Sequence, residues 1–391
     1  CRMAVPPDSP DTTVTAQPVA AGQKKARRKK ATAKKSVAKK SSPVKSAAKG
    51  PSAQKAGATS TATTSDDRIP ASLQHMPVSL FSAGLGLAGF AIAWRETGIA
   101  YGIGPIPGII FIGIAIGIFL ILLGLYGLKT VRHRQAVLDE LNHPIQGNLF
   151  ATATMTMMIL SSSLIGLSHG LATLIWSVAA IANMAITVRV VTKWISRDNH
   201  ISHATPIWFI PVVGNLVTPI VGAPLGYTGI SWMVFAVGLL FWIILFTVVF
   251  YRLLFERAME KPLRPTLAIL LAPPSLCFTA YAVLNGGHID GTAQMFFGIA
   301  VFMLLILIPQ VKAMLQMPFG LSAWSCTFPM AAFSVAAILY ADAIDSGFAH
   351  GLAIAAILIT TLIIAIVGTK TIGYILAGKV FRPVETPLPT P

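Results

Sequence analysis

Charged side chains are scarce in this sequence, at 11% of its 391 residues, where a soluble globular domain carries about 25%. Hydrophobic residues make up 54% of the chain, and the mean hydropathy is +0.70. An ordinary soluble enzyme is therefore excluded. Cysteine is also rare, and Cys1, Cys277 and Cys326 are too few for a disulfide framework. Cys277 and Cys326 lie in apolar segments, where small buried residues are expected.

Motifs for catalysis, metal binding and nucleotide binding are missing as well. His200 and His203 are close in sequence but lie in a predicted loop without cysteine or acidic partners, so no metal constellation is formed. No phosphate-cradling loop is present, and no nucleophile has a suitable base. We therefore predict neither an enzyme nor a cofactor. No apolar run follows the early basic residues, so no cleavable signal peptide is predicted; Cys1 fits either a lipoprotein cysteine or a start at Met3.

Basic residues are concentrated in an amino-terminal tail. Residues 1–70 hold 15 of the 30 Lys and Arg residues and 4 of the 14 Asp and Glu residues. Residues 21–58 repeat Lys, Ala and Ser without an aromatic residue, a composition that predicts disorder. The tail resembles histone-like basic segments, so nucleic acid is one candidate partner. Anionic lipid headgroups are favoured, because a tethered tail gains about 1 kcal/mol per basic residue near the membrane surface.

Ten apolar stretches approach the roughly 20 residues that a membrane-spanning helix needs. Residues 71–380 are therefore predicted to form an all-α integral membrane domain of ten transmembrane helices. A short Pro-rich tail, residues 381–391, follows it. The stretches lie near residues 77–94, 106–128, 148–167, 170–192, 207–225, 230–251, 266–285, 292–311, 319–340 and 348–375.

Charges between these stretches predict the orientation of the chain. Of the 15 Lys and Arg residues beyond residue 70, 14 fall on one side of the membrane and Arg95 alone falls on the other. Positively charged loops stay in the cytoplasm, so both termini are predicted to be cytoplasmic, with the protein in a plasma membrane (the bacterial inner membrane). The polar segment 131–142 is predicted to be either an amphipathic interfacial helix or a solvated loop.

Polar, proline-rich stretches alternate with apolar ones along the chain. Proline frees a backbone carbonyl and kinks a helix, and such a backbone is tolerated at membrane depth where it lines a watery cavity. The odd-numbered stretches are therefore predicted to be five inner helices around a central pore, each paired in a hairpin with an apolar outer helix. Packing alone is the alternative role for their polar residues. Helix kinks are expected at Pro211, Pro219, Pro273, Pro274 and Pro329.

Candidate pore-lining residues come from the polar stretches. Each carries a phenylalanine, and a bulky aromatic ring can close a pore by excluding water. Phe328 stands out because Pro329 follows it and disfavours helical geometry at the preceding residue, which could turn the ring toward the pore axis. Core packing is the alternative for any isolated phenylalanine. The other candidates are Phe81, Phe150, Phe209, Phe278, Asn215, Thr218 and Ser325.

No Asp, Glu, Lys or Arg lies in the middle of a predicted span. Coupled transporters usually place such groups there, so a passive conduit is favoured over a pump. A cation would need acidic rings or carbonyl cages, whereas hydroxyl groups, amide dipoles and helix amino-terminal ends suit an anion. The cytoplasmic basic residues would also raise the local anion concentration. A small anion is therefore the favoured permeant.

Five motifs occur in order along residues 73–380: LQHMPVSLFSAGLGLAGFAIAWR (73–95), LNHPIQGNLF (141–150), WFIPVVGNLVTPIVG (208–222), LRPTLAILLAPPS (263–275) and AWSCTFPMAAF (323–333). Together they resemble the tellurite-resistance/dicarboxylate transporter family, which includes the bacterial tellurite-resistance channel, the slow anion channel of plant guard cells, and fungal malate and sulfite transporters. The resemblance implies ten helices around a pore, a homotrimer with one pore per subunit, and anion conduction. It also implies a gate at Phe328, with a second gate aromatic that maps to Phe150.

Three functions compete at this point. The leading one is an anion channel or facilitative carrier for small anions or dicarboxylates, gated by a pore phenylalanine. A coupled exporter of malate, sulfite or tellurite is the alternative. The third is a membrane-tethered protein that binds nucleic acid through the tail. Chloride, nitrate, malate, sulfite and tellurite all stay open as the permeant anion.

Overall fold

A computed structural model describes residues 72–317 and 319–381 of the chain. Throughout these residues the secondary structure is helical, without a β-strand, which confirms the all-α prediction. The basic tail of residues 1–70 lies outside the described residues, and so does the Pro-rich tail beyond Phe381.

Eleven α-helices, joined by turns and 3-10 segments, make up most of the described chain. They are α1 (Phe81–Ala100), α2 (Ile106–Arg132), α3 (Arg134–Asn142), α4 (Gln146–Ser161), α5 (His169–Ser196), α6 (Phe209–Gly222), α7 (Thr228–Phe255), α8 (Ala272–Leu284), α9 (Gly291–Leu315), α10 (Thr327–Ile344) and α11 (Gly347–Leu376).

Eight helical segments of the described residues are long and apolar enough to cross a membrane, so the chain is a multi-pass membrane protein. They are Val78–Ala100, Ile106–Arg132, His169–Ser196, Thr228–Phe255, Lys261–Leu284, Gly291–Leu315, Leu321–Ile344 and Gly347–Leu376. The predicted spans 148–167 and 207–225 correspond to the shorter helices α4 and α6. These have 16 and 14 residues and cover only about 24 and 21 Å, so the count of ten crossings stays a prediction.

Burial alternates along the chain as the polarity of the sequence does. In the spans Val78–Ala100, Lys261–Leu284 and Leu321–Ile344, 67% to 83% of the most apolar stretch is buried. In the spans formed by α2, α5, α7, α9 and α11 the buried share is only 22% to 33%. Nearly every residue of α6 and most of α4 are buried as well. The polar, broken helices therefore lie inside, and the apolar helices cover them.

The helices contact one another in a simple order. Each inner helix packs against the outer helix that follows it, in the pairs α1–α2, α4–α5, α6–α7, α8–α9 and α10–α11. The inner helices also contact each other in sequence, α1 with α4, α4 with α6, α6 with α8, and α8 with α10, and α10 returns to α1. These contacts close a ring of five helices, which is called the inner ring below.

Most of the prolines lie where inner helices begin rather than in their middles. Pro273 and Pro274 occupy the start of α8, directly after the 3-10 segment Lys261–Leu271. Pro211 and Pro329 are likewise each the third residue of their helices. The missing N–H of a proline costs no intrahelical hydrogen bond in the first turn, so these four prolines begin their α-helices rather than interrupt them, and the expected kinks stay a prediction. Pro219 alone among the five lies inside its helix.

The polar segment after α2 forms a helix, α3, so the alternative of a solvated loop is wrong. Glu140 of α3 accepts hydrogen bonds from Lys129 Nζ at 2.8 Å and from the Tyr126 hydroxyl at 2.6 Å. The side chain of Lys129 is fully buried and also donates to the Met76 carbonyl at 2.7 Å. One ammonium group thus joins α2, α3 and the chain that enters α1.

Candidate functional site

The inner ring encloses two cavities, and all five of its helices contribute to each. The amino-side cavity, of ≈ 260 Å³, is lined by the amino-terminal parts of these helices and by the chain that enters them, from Pro77 before α1 to Pro329 in α10. The carboxyl-side cavity, of ≈ 190 Å³, is lined by later residues of the same helices, from Gly89 to Val335. Since every inner helix passes from one cavity to the other, all five run in the same direction.

Phe328 lies between the two cavities. Among the described residues it alone lines both, and only 7% of its surface is exposed. It is the second residue of α10, so Pro329 does not remove it from helical geometry as the sequence suggested. Its ring is aimed inward by its position on the helix instead.

Two glycines of α1 make room for the start of α10. A Cβ added at Gly89 would lie 3.0 Å from Cδ2 of Phe328 and 3.2 Å from Cβ of Ala331, and one added at Gly86 would overlap the Thr327 side chain. Real side chains do not pack so closely without a shift. The missing Cβ of Gly89 is therefore what lets the Phe328 ring rest directly on the α1 backbone.

The amino-side cavity is mostly apolar and uncharged, with polar side chains spread over its lining. Its lining includes hydroxyl and amide groups but no Asp, Glu, Lys or Arg. The hydroxyl groups of Thr152, Thr266 and Ser325 donate to carbonyls of their own helical segments, so their hydrogens are already committed to the backbone. The polar residues of the lining are Ser79, Ser82, Gln146, Thr152, Thr266, Ser322 and Ser325, with the Tyr374 ring at its edge.

The carboxyl-side cavity is also mostly apolar, but its lining includes one charged residue, Arg95. Its hydroxyl groups, Ser162 and Thr279, donate to the carbonyls of Ile159 at 2.7 Å and Ser275 at 3.0 Å. The two cavities therefore differ in charge: the amino-side lining is neutral, and the carboxyl-side lining includes one guanidinium group.

Two of the predicted pore-lining residues, Phe328 and Ser325, lie at the cavities, and the other phenylalanines do not line either one. Phe81 packs edge-on against the Tyr126 ring at 5.4 Å between centroids, and Phe150 contacts the same ring at 6.0 Å. Phe278 packs against Phe297 of α9 at 5.3 Å. Phe209 is completely buried in the hydrophobic core. These four rings fill helix interfaces, which is the packing role that the sequence left open for them.

Asn215 and Thr218 also point between helices rather than into a cavity. The Asn215 side chain accepts from Asn183 Nδ2 at 3.2 Å and donates to the Thr187 hydroxyl at 3.1 Å. Thr187 in turn donates to the Pro211 carbonyl at 2.8 Å. Thr218 faces the sulfur of Met158 at 3.3 Å. The polar groups of α6 thus join it to α4 and α5, and they serve packing.

Sequence reasoning missed Gly89 and Arg95 as site residues. Gly89 is one of 32 glycines, and nothing local to it indicates that an aromatic ring packs there. Arg95 was visible as the one basic residue on its side of the membrane, but its position in a cavity depends on how α1 is rotated in the ring. A charge count assigns a residue to a side, and it does not assign it to a face of its helix.

A membrane-embedded ring of five helices, with two cavities separated by one aromatic ring, is the architecture of a membrane transport protein. Residues 75–372 match the SLAC1 family, described as voltage-dependent anion channels, and the chain belongs to this family. The resemblance seen in the sequence motifs is thereby confirmed.

Individual relatives agree with the family. The guard cell S-type anion channel SLAC1 of Arabidopsis thaliana is 26% identical over 77% of this chain and 56% of its own length. The S-type anion channel SLAH3 of the same plant is 28% identical over 76% of this chain and 48% of its own length. The chain thus spans about half the length of these plant relatives. A tellurite resistance protein TehA homolog of Haemophilus influenzae is 22% identical over 78% of this chain and 93% of its own length.

Proposed function

We propose that this protein is a passive anion pathway closed by Phe328. In this proposal the inner ring is a pore, and the five helix pairs are ten membrane crossings arranged as hairpins around it. The observation that carries it is the position of Phe328, which alone among the described residues lines both cavities. A phenyl ring at such a constriction excludes water and therefore ions.

The chemistry of the cavities supports an anion as the permeant. All five inner helices begin at the amino-side cavity, and helix amino-terminal ends carry partial positive charge. Neither cavity is lined by an acidic residue, as a cation pathway would need. The names of the plant relatives, S-type anion channels, agree with this choice.

A facilitative carrier for small anions or dicarboxylates has the same requirements, and chloride, nitrate, malate, sulfite and tellurite are all candidates. A coupled exporter of malate, sulfite or tellurite is the second candidate, since one relative is named for tellurite resistance. The lack of charged residues in the middle of the spans argues against proton coupling. Saturable, proton-dependent uptake into vesicles would favour the exporter, and ohmic currents insensitive to pH would exclude it.

The wider arrangement is also part of the proposal. The distribution of Lys and Arg between the spans supports cytoplasmic termini in a plasma membrane, and the basic tail would lie against anionic lipid headgroups. The family resemblance supports a homotrimer with one pore per protomer. Each of the outer helices carries large exposed apolar side chains, among them Ile121, Ile181, Ile243, Phe302 and Leu358, which suit contact with lipid or with neighbouring protomers.

The proposed gate is tested by the variant Phe328→Ala in purified protein reconstituted into planar bilayers. We expect a large, constitutive anion conductance in the variant and little in the parent, because the ring no longer separates the cavities. Phe302→Ala is the matched control, since Phe302 is 57% exposed on the outer helix α9. An unchanged conductance in folded Phe328→Ala protein would exclude Phe328 as the gate.

A further inference from the structure

Arg95, the charged residue in the lining of the carboxyl-side cavity, is the one Lys or Arg residue on the predicted outer side of the protein. The predicted outer side carries Glu96, Asp290, Asp342 and Asp345 with Arg95 as its one basic residue, so its net charge is negative. Such a surface repels anions. An anion pathway that opens there needs a local positive potential at its mouth.

Arg95 is placed to supply that potential, and of the four acidic residues Glu96 is the one that pairs with its side chain, at 2.8 Å. Arg95 lines the carboxyl-side cavity, whereas none of the four acidic residues is part of its lining. Asp290 caps α9 by accepting from the Ala293 amide at 3.0 Å and accepts from the Tyr281 hydroxyl at 2.7 Å. These bonds hold the pKa of the Asp290 carboxyl below its usual value. Its negative charge is therefore fixed at a helix end outside the cavity.

The side chain of Arg95 has donors to spare. Its Nε and Nη2 both donate to one oxygen of Glu96, Oε1, at 3.1 and 2.8 Å. A guanidinium group has five N–H donors, so this single acceptor leaves most of them for other ligands. The group is also partly exposed, at 34% of the side-chain surface. The two hydroxyl groups of the cavity, Ser162 and Thr279, are committed to backbone carbonyls, so Arg95 is the strongest anion ligand in the lining.

The backbone at Arg95 is held in place by α2. A Cβ added at Gly108 would lie 2.9 Å from Cα and 3.0 Å from Cβ of Arg95, so α2 packs directly onto α1 at this point. Gly89, on which the Phe328 ring rests, precedes Arg95 by six residues in the same helix, which is about 9 Å along its axis. Arg95 and the Phe328 ring thus line the same cavity, but Arg95 lies farther along α1, toward its carboxyl-terminal end.

The geometry points to Arg95 as an anion-binding residue at the carboxyl-side mouth of the pathway. The Glu96 carboxylate competes with the anion for the donors of its guanidinium group. A small anion, such as chloride or a carboxylate, would bind the donors that Glu96 leaves open before it passes the ring. Because Glu96 competes for the same guanidinium group, it lowers the affinity of Arg95 for the anion. A bound anion can therefore leave again, as conduction requires. This inference rests on the proposed anion pathway and adds a residue that controls its conductance.

The test uses Phe328→Ala protein in planar bilayers, so that the ring does not limit the current. Arg95→Gln in this background should lower the anion conductance at 0.1 M KCl by about threefold or more. The loss should shrink at 1 M KCl, where the Debye length falls from about 10 Å to about 3 Å. Arg95→Lys should keep most of the conductance, and Glu96→Gln should raise it at low salt. Arg197→Gln, which removes an exposed charge outside both cavities, is the matched control.

The outcomes separate this inference from the proposed function. If the Phe328→Ala parent carries no anion current, the proposed pathway fails and the role of Arg95 fails with it. If the parent conducts and Arg95→Gln conducts equally well, or loses conductance to the same extent at both salt concentrations, only the inference about Arg95 is overturned. Should Arg95→Gln not fold, Glu96→Gln decides the matter, and a conductance that does not rise at low salt contradicts the inference.

Discussion

At the scale of single residues, the account depends on the contact between Phe328 and Gly89. The ring is largely buried, lines both cavities and lies 3.0 Å from the position that a Cβ of residue 89 would take. A glycine is needed there because any larger residue would displace the ring or separate α1 from α10. The size of one side chain on α1 therefore controls how the proposed gate closes.

Substituting Gly89 by alanine tests this contact. We expect Gly89→Ala to raise the resting anion conductance, though less than Phe328→Ala does, because the ring must move by a few tenths of an ångström from its closed position. Bilayer recordings of purified protein measure the effect. Gly113→Ala on α2 is the control, since an added Cβ meets nothing within 4 Å there. A Gly89→Ala conductance equal to that of the control would contradict the contact.

At the scale of helices, two polar clusters hold the inner ring to its surroundings. One consists of Asn183, Asn215 and Thr187 between α5 and α6, with Thr154 of α4 donating to Asn183 Oδ1 at 3.0 Å. The other is the buried Lys129 with its acceptors on α3 and before α1. Both satisfy buried polar groups, and breaking either leaves an uncompensated donor or acceptor.

The Lys129 cluster predicts a large loss of stability in Glu140→Gln. The neutral amide leaves a fully buried ammonium group without its counter-charge, and breaking a buried ion pair from one side costs about 3–5 kcal/mol. A lower thermal midpoint of the detergent-solubilised protein is expected. Asp139→Asn is the control on the same helix, because Asp139 is exposed and accepts only from Gln135, at 3.0 Å. Equal midpoints for the two variants would show that the buried pair does not stabilise the protein.

The asparagine cluster predicts that Gly214→Ala is destabilising. A Cβ at Gly214 would overlap the amide group of Asn183, which must then give up its bonds to Asn215 and the Pro211 carbonyl. Its thermal midpoint should fall well below that of Gly117→Ala, whose added Cβ meets nothing within 4 Å. If the two variants have the same thermal midpoint, the asparagine cluster accommodates the added Cβ without a loss of stability, and its predicted stabilising role is wrong.

The difference between predicted and observed pore residues also has its cause at this scale. Polarity and proline content separated inner from outer helices correctly, because inner helices have no lipid contact to favour apolar side chains. They did not identify the face of each helix that lines a cavity. Hydroxyl groups on helices donate to their own backbone carbonyls, as Thr218 does to Gly214, so a threonine can occupy any buried face. Phe328 was predicted from a motif, and the helical conformation at that residue differs from the one expected before a proline.

At the scale of the whole molecule, the inner ring and the charge distribution together predict how the protein is oriented in the membrane. All five inner helices run in the same direction, so the two cavities lie at opposite ends of the inner ring and would open toward opposite faces of the membrane. The amino-side cavity would face the cytoplasm, where the basic residues between the spans raise the anion concentration. The carboxyl-side cavity would face outward, with Arg95 at its mouth.

Cysteine labelling tests this orientation in intact cells. A membrane-impermeant maleimide should label His288→Cys, in the exposed turn before α9, and should label Arg197→Cys only after permeabilisation, because the two positions lie on opposite predicted sides. The parent protein, which contains Cys1, Cys277 and Cys326, gives the background under both conditions. If Arg197→Cys but not His288→Cys were labelled in intact cells, the predicted orientation would be wrong and the opposite one correct.

The selectivity of the open pore is the most direct test of the account. Phe328→Ala protein in a planar bilayer, under a tenfold KCl gradient, should show a large conductance with a reversal potential near the equilibrium potential of chloride, about 59 mV in magnitude. Such a result requires both that the ring closes the path and that the path accepts anions. A large conductance reversing at the potassium potential, or no conductance at all from folded protein, would contradict an anion pathway gated by Phe328.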